Sequence, residues 1–255
     1  MRGSVVIDCF PESAERYRSR YTIVAIDVIR ATTTATTALQ SGRRVYPAKT
    51  TDEAFVLAEK LDNPLLVGEL GGNMPDGFDL TNSPAQIANR TDTDRPMVLV
   101  SSSGTQLLMD SAGSEAVYAA CLRNYEAVAR HLASRHQRIA VLGAGTRGQF
   151  RCEDQAVCAL VAHRLVESGY VPENQQTAEW IERWRLLSFA SITEHIRGGR
   201  SADYLRRSGQ DEDLTFVLEH LNDLEIVPQL IGRELIIARS ATSPQELIQE
   251  RVSVE

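Results

Sequence analysis

The sequence predicts a layered α/β/α fold with a mostly parallel sheet and a helix-rich C-terminal part. Across residues 5–145, short apolar and β-branched runs are each followed by a polar turn and then by a helical pattern. From residue 177 to residue 221 the pattern is mainly helical. We expect a single α/β domain over residues 1–239, with residues 170–222 as its helical part and residues 240–255 as a tail of uncertain order.

Short apolar runs bounded by turn residues mark the strands. We predict strands at residues 5–9, 22–26, 44–46, 65–67, 97–100, 139–142, 225–227 and 234–238. Helical spacing of apolar residues, with capping residues such as Thr51 and Asp52 at a start, marks the helices. We predict helices at residues 35–40, 51–61, 106–112, 124–136 and 153–168, ahead of the helical stretch 177–221. This alternation implies parallel strands, because each helix returns the chain to the start of the next strand.

Residues 73–84 are the longest irregular stretch of the N-terminal half. Long loops in compact domains are usually functional or disordered. Phe78 and Leu80 lie within this one, and such side chains need a packed environment. We therefore expect an ordered binding loop here.

The composition excludes several classes of protein. Of the 255 residues, 43% are hydrophobic and 24% are charged, with a formal net charge of -7. These values are ordinary for a globular protein and give no basic field for nucleic acid or an anionic membrane. No apolar run approaches the roughly 18 residues of a membrane span, and the N-terminal run is too short for a signal peptide. We expect a cytoplasmic protein that binds neither nucleic acid nor membrane.

The turn after the predicted strand 22–26 carries an acid, a base and three threonines. Asp27 and Arg30 are followed by threonines at residues 32–34, each of which can cap a helix. Ligands of open α/β sheets bind outside the carboxyl ends of the strands, and free N–H groups at a helix start favour an anion. An acid and a base here suit a metal ion and a phosphate together. A purely structural capping arrangement is the alternative.

Parallel strands bring their polar turns to one edge of the sheet, so distant residues should meet there. The carboxylates, amide and guanidinium groups of these turns belong to Asp27, Glu69, Asp79, Glu153, Asp154, Asn82, Arg30, Arg147 and Arg151. Cys9, Cys121, Cys152 and Cys158 form no CxxC pair, and no histidine lies at zinc-like spacing from them. Carboxylates without histidine or thiolate favour a hard ion such as Mg²⁺.

A glycine motif raises a second class of function. Gly143, Gly145 and Gly148 satisfy GxGxxG after a predicted strand, which is typical of NAD(P)-binding oxidoreductases. In that fingerprint the helix begins within the motif, whereas residues 149–151 intervene here before the acidic pair. A non-catalytic phosphometabolite-binding protein is the other alternative, because it would keep the anion contacts without needing the metal.

Four runs taken together resemble the 2-phosphosulfolactate phosphatase family. They read VAIDVIRATTT, GELGGNMPDGFDLTNSP, SSSGT and GAGTRGQFRCED, and they occur in this order over most of residues 23–168. The resemblance implies a phosphatase-like domain that uses Mg²⁺ to release phosphate from 2-phosphosulfolactate, giving sulfolactate, in coenzyme M biosynthesis. Its partner is then a small anionic phosphate ester, and a homo-oligomer stays possible.

The resemblance also implies which residues act. The motif positions are Asp27, Arg30, Thr32, Thr33, Thr34, Glu69, Gly71, Gly72, Gly77, Phe78, Asp79, Asn82, Ser83, Gly104, Thr105, Gly145, Glu153 and Asp154. We predict Asp27, Glu69 and Asp154 as metal ligands, and Asp27, Arg30, Thr33 and Asp154 as the catalytic set. We predict substrate contacts from Thr32, Thr34, Gly71, Gly72, Asn82, Ser83, Gly104, Thr105, Gly145, Thr146, Arg147 and Arg151.

The chain departs from the family pattern at three positions. Leu70 stands where arginine is usual, Thr81 where glycine is usual and Ser103 where asparagine is usual. The missing arginine removes an expected anion partner from residues 68–72, which we call the glycine loop. A smaller or less charged phosphate ester is therefore the alternative substrate.

Overall fold

The computed structural model describes residues 3–10, 12–133, 135–145 and 149–239. The strands are β1 (Ser4–Cys9), β2 (Thr22–Ile26), β3 (Val45–Ala48), β4 (Leu65–Gly68), β5 (Met97–Val100), β6 (Val117–Ala120), β7 (Arg138–Gly143), β8 (Val171–Pro172), β9 (Pro228–Ile231) and β10 (Glu234–Ile237). The helices are α1 (Glu12–Tyr17), α2 (Ala31–Gln40), α3 (Thr51–Ala58), α4 (Pro84–Ala88), α5 (Gly104–Asp110), α6 (Tyr125–Leu132), α7 (Cys152–Glu167), α8 (Gln175–Arg185), α9 (Phe189–Arg197), α10 (Arg200–Arg207) and α11 (Asp211–Glu219).

The described strands form one sheet in the order β4-β5-β3-β10-β9-β6-β2-β7-β1-β8. One block, β6-β2-β7-β1-β8, is parallel throughout, and so is the block β4-β5-β3. The hairpin of β9 and β10 joins them through antiparallel pairs to β6 and β3. The predicted α/β fold with a mostly parallel sheet and a helical C-terminal part is therefore confirmed.

The two parallel blocks run in opposite senses along the sheet, because three antiparallel steps lie between them. The expectation that parallel strands bring all the polar turns to a single edge is therefore wrong. Five steps separate β2 from β5. Adjacent strands of a sheet are usually rotated by roughly 20–25° relative to one another, so five steps add up to about 100° between the strand directions of the two blocks. This twist lets the carboxyl ends of both blocks face one region.

Helices cover both faces of the sheet, as the buried strands require. Every residue of β2 is buried, and its side chains alternate between two cores. Val24 and Ile26 pack with residues of α6, α7 and the later helices, whereas Ile23 and Ala25 pack with residues of α2 and α5. A parallel strand covered on both faces is apolar at every position, which explains its continuous hydrophobic run.

Some element boundaries differ from the predictions. The predicted strand at residues 225–227 is absent, and β9 begins at Pro228 instead. The strand β6 was not predicted, and the tail at residues 240–255 lies outside the described residues. No helix in the described part of the chain combines the length and apolar character needed to cross a membrane.

Candidate functional site

A cleft of about 380 Å³ lies between the carboxyl ends of strands from the two blocks. Nine of the predicted site residues line it, namely Asp27, Arg30, Glu69, Gly71, Gly72, Asn82, Gly145, Arg151 and Asp154. Its lining also includes Ile29, Ser102, Ser103, Glu153, Arg200, Ser201, Tyr204 and Leu205. The predicted Thr146 and Arg147 lie outside the described residues. Residues distant in sequence thus form one polar site.

The threonines after β2 hold the turn that carries Asp27. The Thr32 hydroxyl accepts a hydrogen bond from the main-chain N–H of Asp27 at 3.0 Å and donates one to its carbonyl oxygen at 2.7 Å. The Thr33 hydroxyl donates to the carbonyl oxygen of Val28 at 2.7 Å. The Thr34 hydroxyl donates to the carbonyl oxygen of Arg30 at 3.2 Å. These hydroxyls therefore organise the main chain of the turn.

The expectation that these threonines cap α2 is wrong. The helix begins at Ala31 rather than at residue 35, and its N-cap, Arg30, makes no side-chain capping bond. The three threonines are buried inside the helix, and none of them lines the cleft. Threonine hydroxyls in a helix bind carbonyl oxygens of the preceding turn. The predicted substrate contacts of Thr32 and Thr34 and the predicted catalytic role of Thr33 therefore have no support from this placement.

Asp154, in the first turn of α7, ties together the turns after β2 and β7. Its Oδ1 accepts a hydrogen bond from Val28 N at 2.9 Å, and its Oδ2 accepts one from Gly145 N at 3.1 Å. Gly145 has φ +58, and a Cβ there would lie 2.6 Å from Cys9 Sγ. Only glycine fits this position, so the glycine motif serves to present an N–H to a carboxylate.

This arrangement disfavours the NAD(P)-binding alternative. The helix after the glycine motif begins at Cys152 and carries Glu153 and Asp154 in its first turn. A dinucleotide pyrophosphate would need that helix start for its own negative charge. Two buried acids occupy the same place.

Glu69, at the end of β4, is fixed by the turn after β5. Its Oε1 accepts a hydrogen bond from Ser102 N at 2.8 Å. Its Oε2 accepts from Gly72 N at 2.7 Å and from Ser102 Oγ at 3.0 Å. The carboxylate is thus held on the cleft wall, with Gly71 N bound to the same serine at 2.7 Å.

The predicted substrate residues Ser83, Gly104 and Thr105 do not line the cleft, and their contacts in the structure are within the protein. Ser83 Oγ caps α4 by accepting from Gln86 N, and Thr105 and Ser101 exchange hydrogen bonds in the turn before α5. A Cβ at Gly104 would lie 2.1 Å from Asp27 Oδ2. Gly104 is therefore the residue that lets α5 approach the Asp27 carboxylate, although it does not line the cleft.

The acidic side of the cleft holds mutually repelling charges. Burial raises the pKa of Asp27 to about 7, and the negative charges of Glu69 and Glu153 add to the rise. A hydrogen bond from Ala31 N–H and the charge of Arg30 oppose it. Burial also raises the pKa of Asp154, and the charges of Asp27 and Glu153 contribute. A cation in the cleft would relieve this repulsion.

The donor atoms fit a hard cation such as Mg²⁺, but not as a closed cage. Among the residues that the structure describes, no three His, Cys, Asp or Glu side chains lie close enough to hold an ion together. The predicted trio Asp27, Glu69 and Asp154 is therefore not preformed. Mg²⁺ in proteins commonly takes one or two carboxylates, with waters and phosphate oxygens as its other ligands. Asn82 Oδ1 is buried and has no hydrogen-bond partner within the described residues, so it adds a further oxygen donor.

Among the described residues, three arginines supply the basic side of the cleft. Arg30 is buried and forms an ion pair with Asp213 of α11 at 2.5 Å. The Nε of Arg151 is buried and has no hydrogen-bond partner among the residues that the structure describes. Arg200, at the start of α10, is exposed and contacts Gln149. The cleft therefore combines carboxylates with cationic groups able to bind an anion.

Helix α10 docks on the glycine loop through Tyr204, whose hydroxyl donates to Gly72 O at 2.6 Å. A Cβ at Gly72 (φ +91) would lie 2.1 Å from that hydroxyl, whereas one at Gly71 (φ +60) would meet none of the described atoms within 4 Å.

We expect Gly71→Ala to lower the free energy of unfolding by about 1–2 kcal/mol, for the backbone conformation alone. Gly72→Ala should cost at least about 1 kcal/mol more, because Tyr204 must move. Urea unfolding measures both.

The Tyr204→Ala background is the control for this pair. Without the ring, the difference between the two glycine substitutions should fall by about 1 kcal/mol, the part that Tyr204 contributes. An unchanged difference would contradict the docking role of Tyr204.

The C-terminal helical part contributes residues that the sequence did not reveal. Arg200, Ser201 and Tyr204 line the cleft from α10, and Asp213 holds Arg30 from α11. Asp213 belongs to a run of three acids in a helix first turn, which is ordinary helix-dipole stabilisation. No local signal distinguishes it from its neighbours.

Comparison with known proteins gives a consistent result. The family model for 2-phosphosulpholactate phosphatase matches residues 9–232. A probable 2-phosphosulfolactate phosphatase of Carboxydothermus hydrogenoformans is 31% identical over 222 residues, covering 86% of this chain and 90% of that protein. The proteins described in the same words from Symbiobacterium thermophilum and Deinococcus radiodurans are each 32% identical, over 235 and 232 residues. Both alignments cover 88% of this chain, with 97% and 92% of the respective relatives.

Proposed function

The chain belongs to the 2-phosphosulpholactate phosphatase family, and from this premise we propose that it is a Mg²⁺-dependent phosphoric monoester hydrolase. Its proposed substrate is 2-phosphosulfolactate, which it converts to sulfolactate and phosphate as in coenzyme M biosynthesis. The observation that carries the proposal is the cleft itself, where buried carboxylates and three arginines converge. Oxygen donors and cationic groups in one site suit a metal-bound phosphate ester.

Asp27 is the proposed centre of the metal site. It lies in the cleft lining with Glu69, Asp154 and Asn82. Burial raises its pKa, the charges of Glu69 and Glu153 add to the rise, and a bound cation would relieve both effects. Bound Mg²⁺ would supply Lewis acidity toward the phosphoryl oxygens. The N–H groups that bind Glu69 and Asp154 keep these carboxylates fixed, so that they need not reorganise when a substrate enters.

The arginines are proposed to bind the anionic groups of the substrate. The proposed ester carries a phosphate, a sulfonate and a carboxylate, which together need more than one cationic partner. Arg30 is the proposed phosphate contact, and Arg151 and Arg200 are proposed to contact the other anionic groups. Leu70, where the family pattern has arginine, does not line the cleft, whereas Arg200 does.

Phosphate release from a panel of esters tests the proposal. The panel contains 2-phosphosulfolactate, the matched ester without sulfonate (2-phospholactate) and a simple phosphate monoester, each assayed with Mg²⁺ and with chelator. We expect chelator-sensitive release that is fastest for 2-phosphosulfolactate. Saturable binding of the esters by calorimetry with no release of phosphate would overturn the proposal and identify a phosphometabolite-binding protein. Faster release from 2-phospholactate would contradict the assigned substrate while leaving the phosphatase.

A further inference from the structure

Asp213 is a buried carboxylate in the first turn of α11, and it binds two segments that face the cleft. Its Oδ2 forms the ion pair with Nη1 of Arg30 at 2.5 Å, and both side chains are less than 5% exposed. Its Oδ1 accepts hydrogen bonds from Ser83 Oγ at 2.5 Å and from Ala85 N at 3.2 Å. Each carboxylate oxygen thus holds a different part of the N-terminal half.

Gln210 strengthens the hold of this region on Arg30. Its Oε1 accepts a second hydrogen bond from the same Nη1 that binds Asp213. Within the described part of the chain, Nη2 and Nε of Arg30 have no hydrogen-bond partner, and Arg30 lines the cleft. The contacts from the C-terminal helices therefore occupy one end of the guanidinium and leave the remaining donors for a ligand.

The second half of the Asp213 contact reaches another cleft residue. Ser83 and Ala85 stand at the start of α4, directly after Asn82. Asn82 is 1% exposed and lines the cleft, and in the described part of the chain its Oδ1 has no hydrogen-bond partner. By binding the start of α4, Asp213 restrains the main chain beside Asn82. One carboxylate thus sets the position of a basic group and of an amide in the same cleft.

We propose that Asp213, assisted by Gln210, is a positioning residue that holds the Arg30 guanidinium in place to bind the phosphate group of the ligand. The C-terminal helical part then completes the phosphate-binding side of the site. This inference rests on the proposed function for the identity of the ligand. Nη1 donates two hydrogen bonds, one of them to a carboxylate, and together they restrict the rotation of the guanidinium. A fixed guanidinium plane favours bidentate binding of phosphate.

A double-mutant cycle distinguishes positioning from a general structural role. The four proteins are wild type, Asp213→Asn, Arg30→Gln and the double variant, each assayed for kcat/KM of phosphate release. Misplacing a binding group by about 1 Å costs on the order of 10²-fold, so we expect Asp213→Asn to lower kcat/KM by about 10- to 100-fold. In the Arg30→Gln background the same change should lower it by less than about 3-fold, because the guanidinium is gone and only the contact of Asp213 with the start of α4 remains to be weakened. Equal losses in both backgrounds would overturn the proposal.

Asp223→Asn is the matched control for this cycle. Asp223 also binds an arginine with both oxygens, at 3.1 Å and 2.6 Å from Arg123, but neither residue lines the cleft. This variant should lower the melting temperature and leave kcat/KM unchanged. A loss of activity equal to that of Asp213→Asn would show that any broken ion pair is sufficient, which would also overturn the proposal.

Two outcomes need a second measurement, namely a variant that does not fold and a wild type that shows no activity. If Asp213→Asn does not fold by circular dichroism, Gln210→Ala replaces it in the cycle, with an expected loss of about 3- to 10-fold that again vanishes beside Arg30→Gln. If wild type releases phosphate from no ester, the proposed function fails. The same cycle is then measured as the Kd for inorganic phosphate by calorimetry. Additive effects on that Kd would overturn the positioning role separately.

Discussion

Asp27→Asn is expected to lower kcat/KM for phosphate release by at least about 10³-fold while raising the melting temperature of the metal-free protein at pH 8. The loss corresponds to about 4 kcal/mol of transition-state stabilisation, which is within what a metal-bound carboxylate supplies. The gain in stability follows because burial and the charges of Glu69 and Glu153 oppose an ionised Asp27. Asparagine has nearly the same shape without the charge.

Steady-state kinetics and thermal melts measure these two quantities, and a calorimetric titration measures the Mg²⁺ affinity, which we expect Asp27→Asn to lower. Asp110→Asn is the control, since Asp110 pairs with Lys49 and does not line the cleft. It should leave kcat/KM and Mg²⁺ affinity unchanged. Unaltered Mg²⁺ binding by the Asp27→Asn protein would remove Asp27 from the metal site, whatever its effect on activity.

The ionisation of Asp27 is expected to destabilise the metal-free protein as the pH rises from 4 to 8, and Mg²⁺ is expected to offset this loss. The ordinary pKa of Asp27 is 3.8, and the folded protein raises it to about 7. Below pH 3.8 the group is protonated in both states and has no effect. Between the two values the unfolded chain releases the proton and the folded chain retains it, so stability falls. Above pH 7 the penalty is complete, on the order of 4 kcal/mol.

Melting curves at pH 5 and pH 8, with Mg²⁺ and with chelator, measure this effect. For a chain of this size the penalty corresponds to roughly 10 °C in melting temperature. Mg²⁺ should raise the melting temperature at pH 8, where the carboxylate is ionised, and have little effect at pH 5, where protons occupy the site. The Asp27→Asn variant should show a much weaker dependence on both pH and Mg²⁺. Equal stabilisation by Mg²⁺ at both pH values would contradict a metal site built on Asp27.

Much of the fold followed from short-range patterns in the sequence. The strand that ends before Asp27, the strand that ends before Glu69 and the helix that carries Asp154 are all present close to their predicted bounds. The loop at residues 73–84 is ordered, with Phe78 buried and Asn82 lining the cleft. These features depend on local hydrophobic periodicity and turn residues, which the sequence displays directly.

Other parts of the site escaped prediction because hydrogen-bond partners are chosen by packing. The threonines after Arg30 match a capping pattern, but their hydroxyls bind the main chain of the turn before them. Threonine is favoured both as a helix cap and as a donor to carbonyl oxygens of the preceding turn, so the residue type does not distinguish the two. The path of the backbone decides between them, and this path depends on how α2 packs against the sheet.

By itself, the sequence determined the alternation of strands and helices and the kinds of chemical group at the strand ends. Both depend on patterns among residues that are only a few positions apart. The tertiary structure alone decided that the two blocks of the sheet run in opposite senses and still share a cleft. It also decided that Arg30 is held by Asp213, 183 positions further along the chain. Contacts at such a separation form only when the sheet twists and the last helices fold back over it, and no local preference of either residue specifies them.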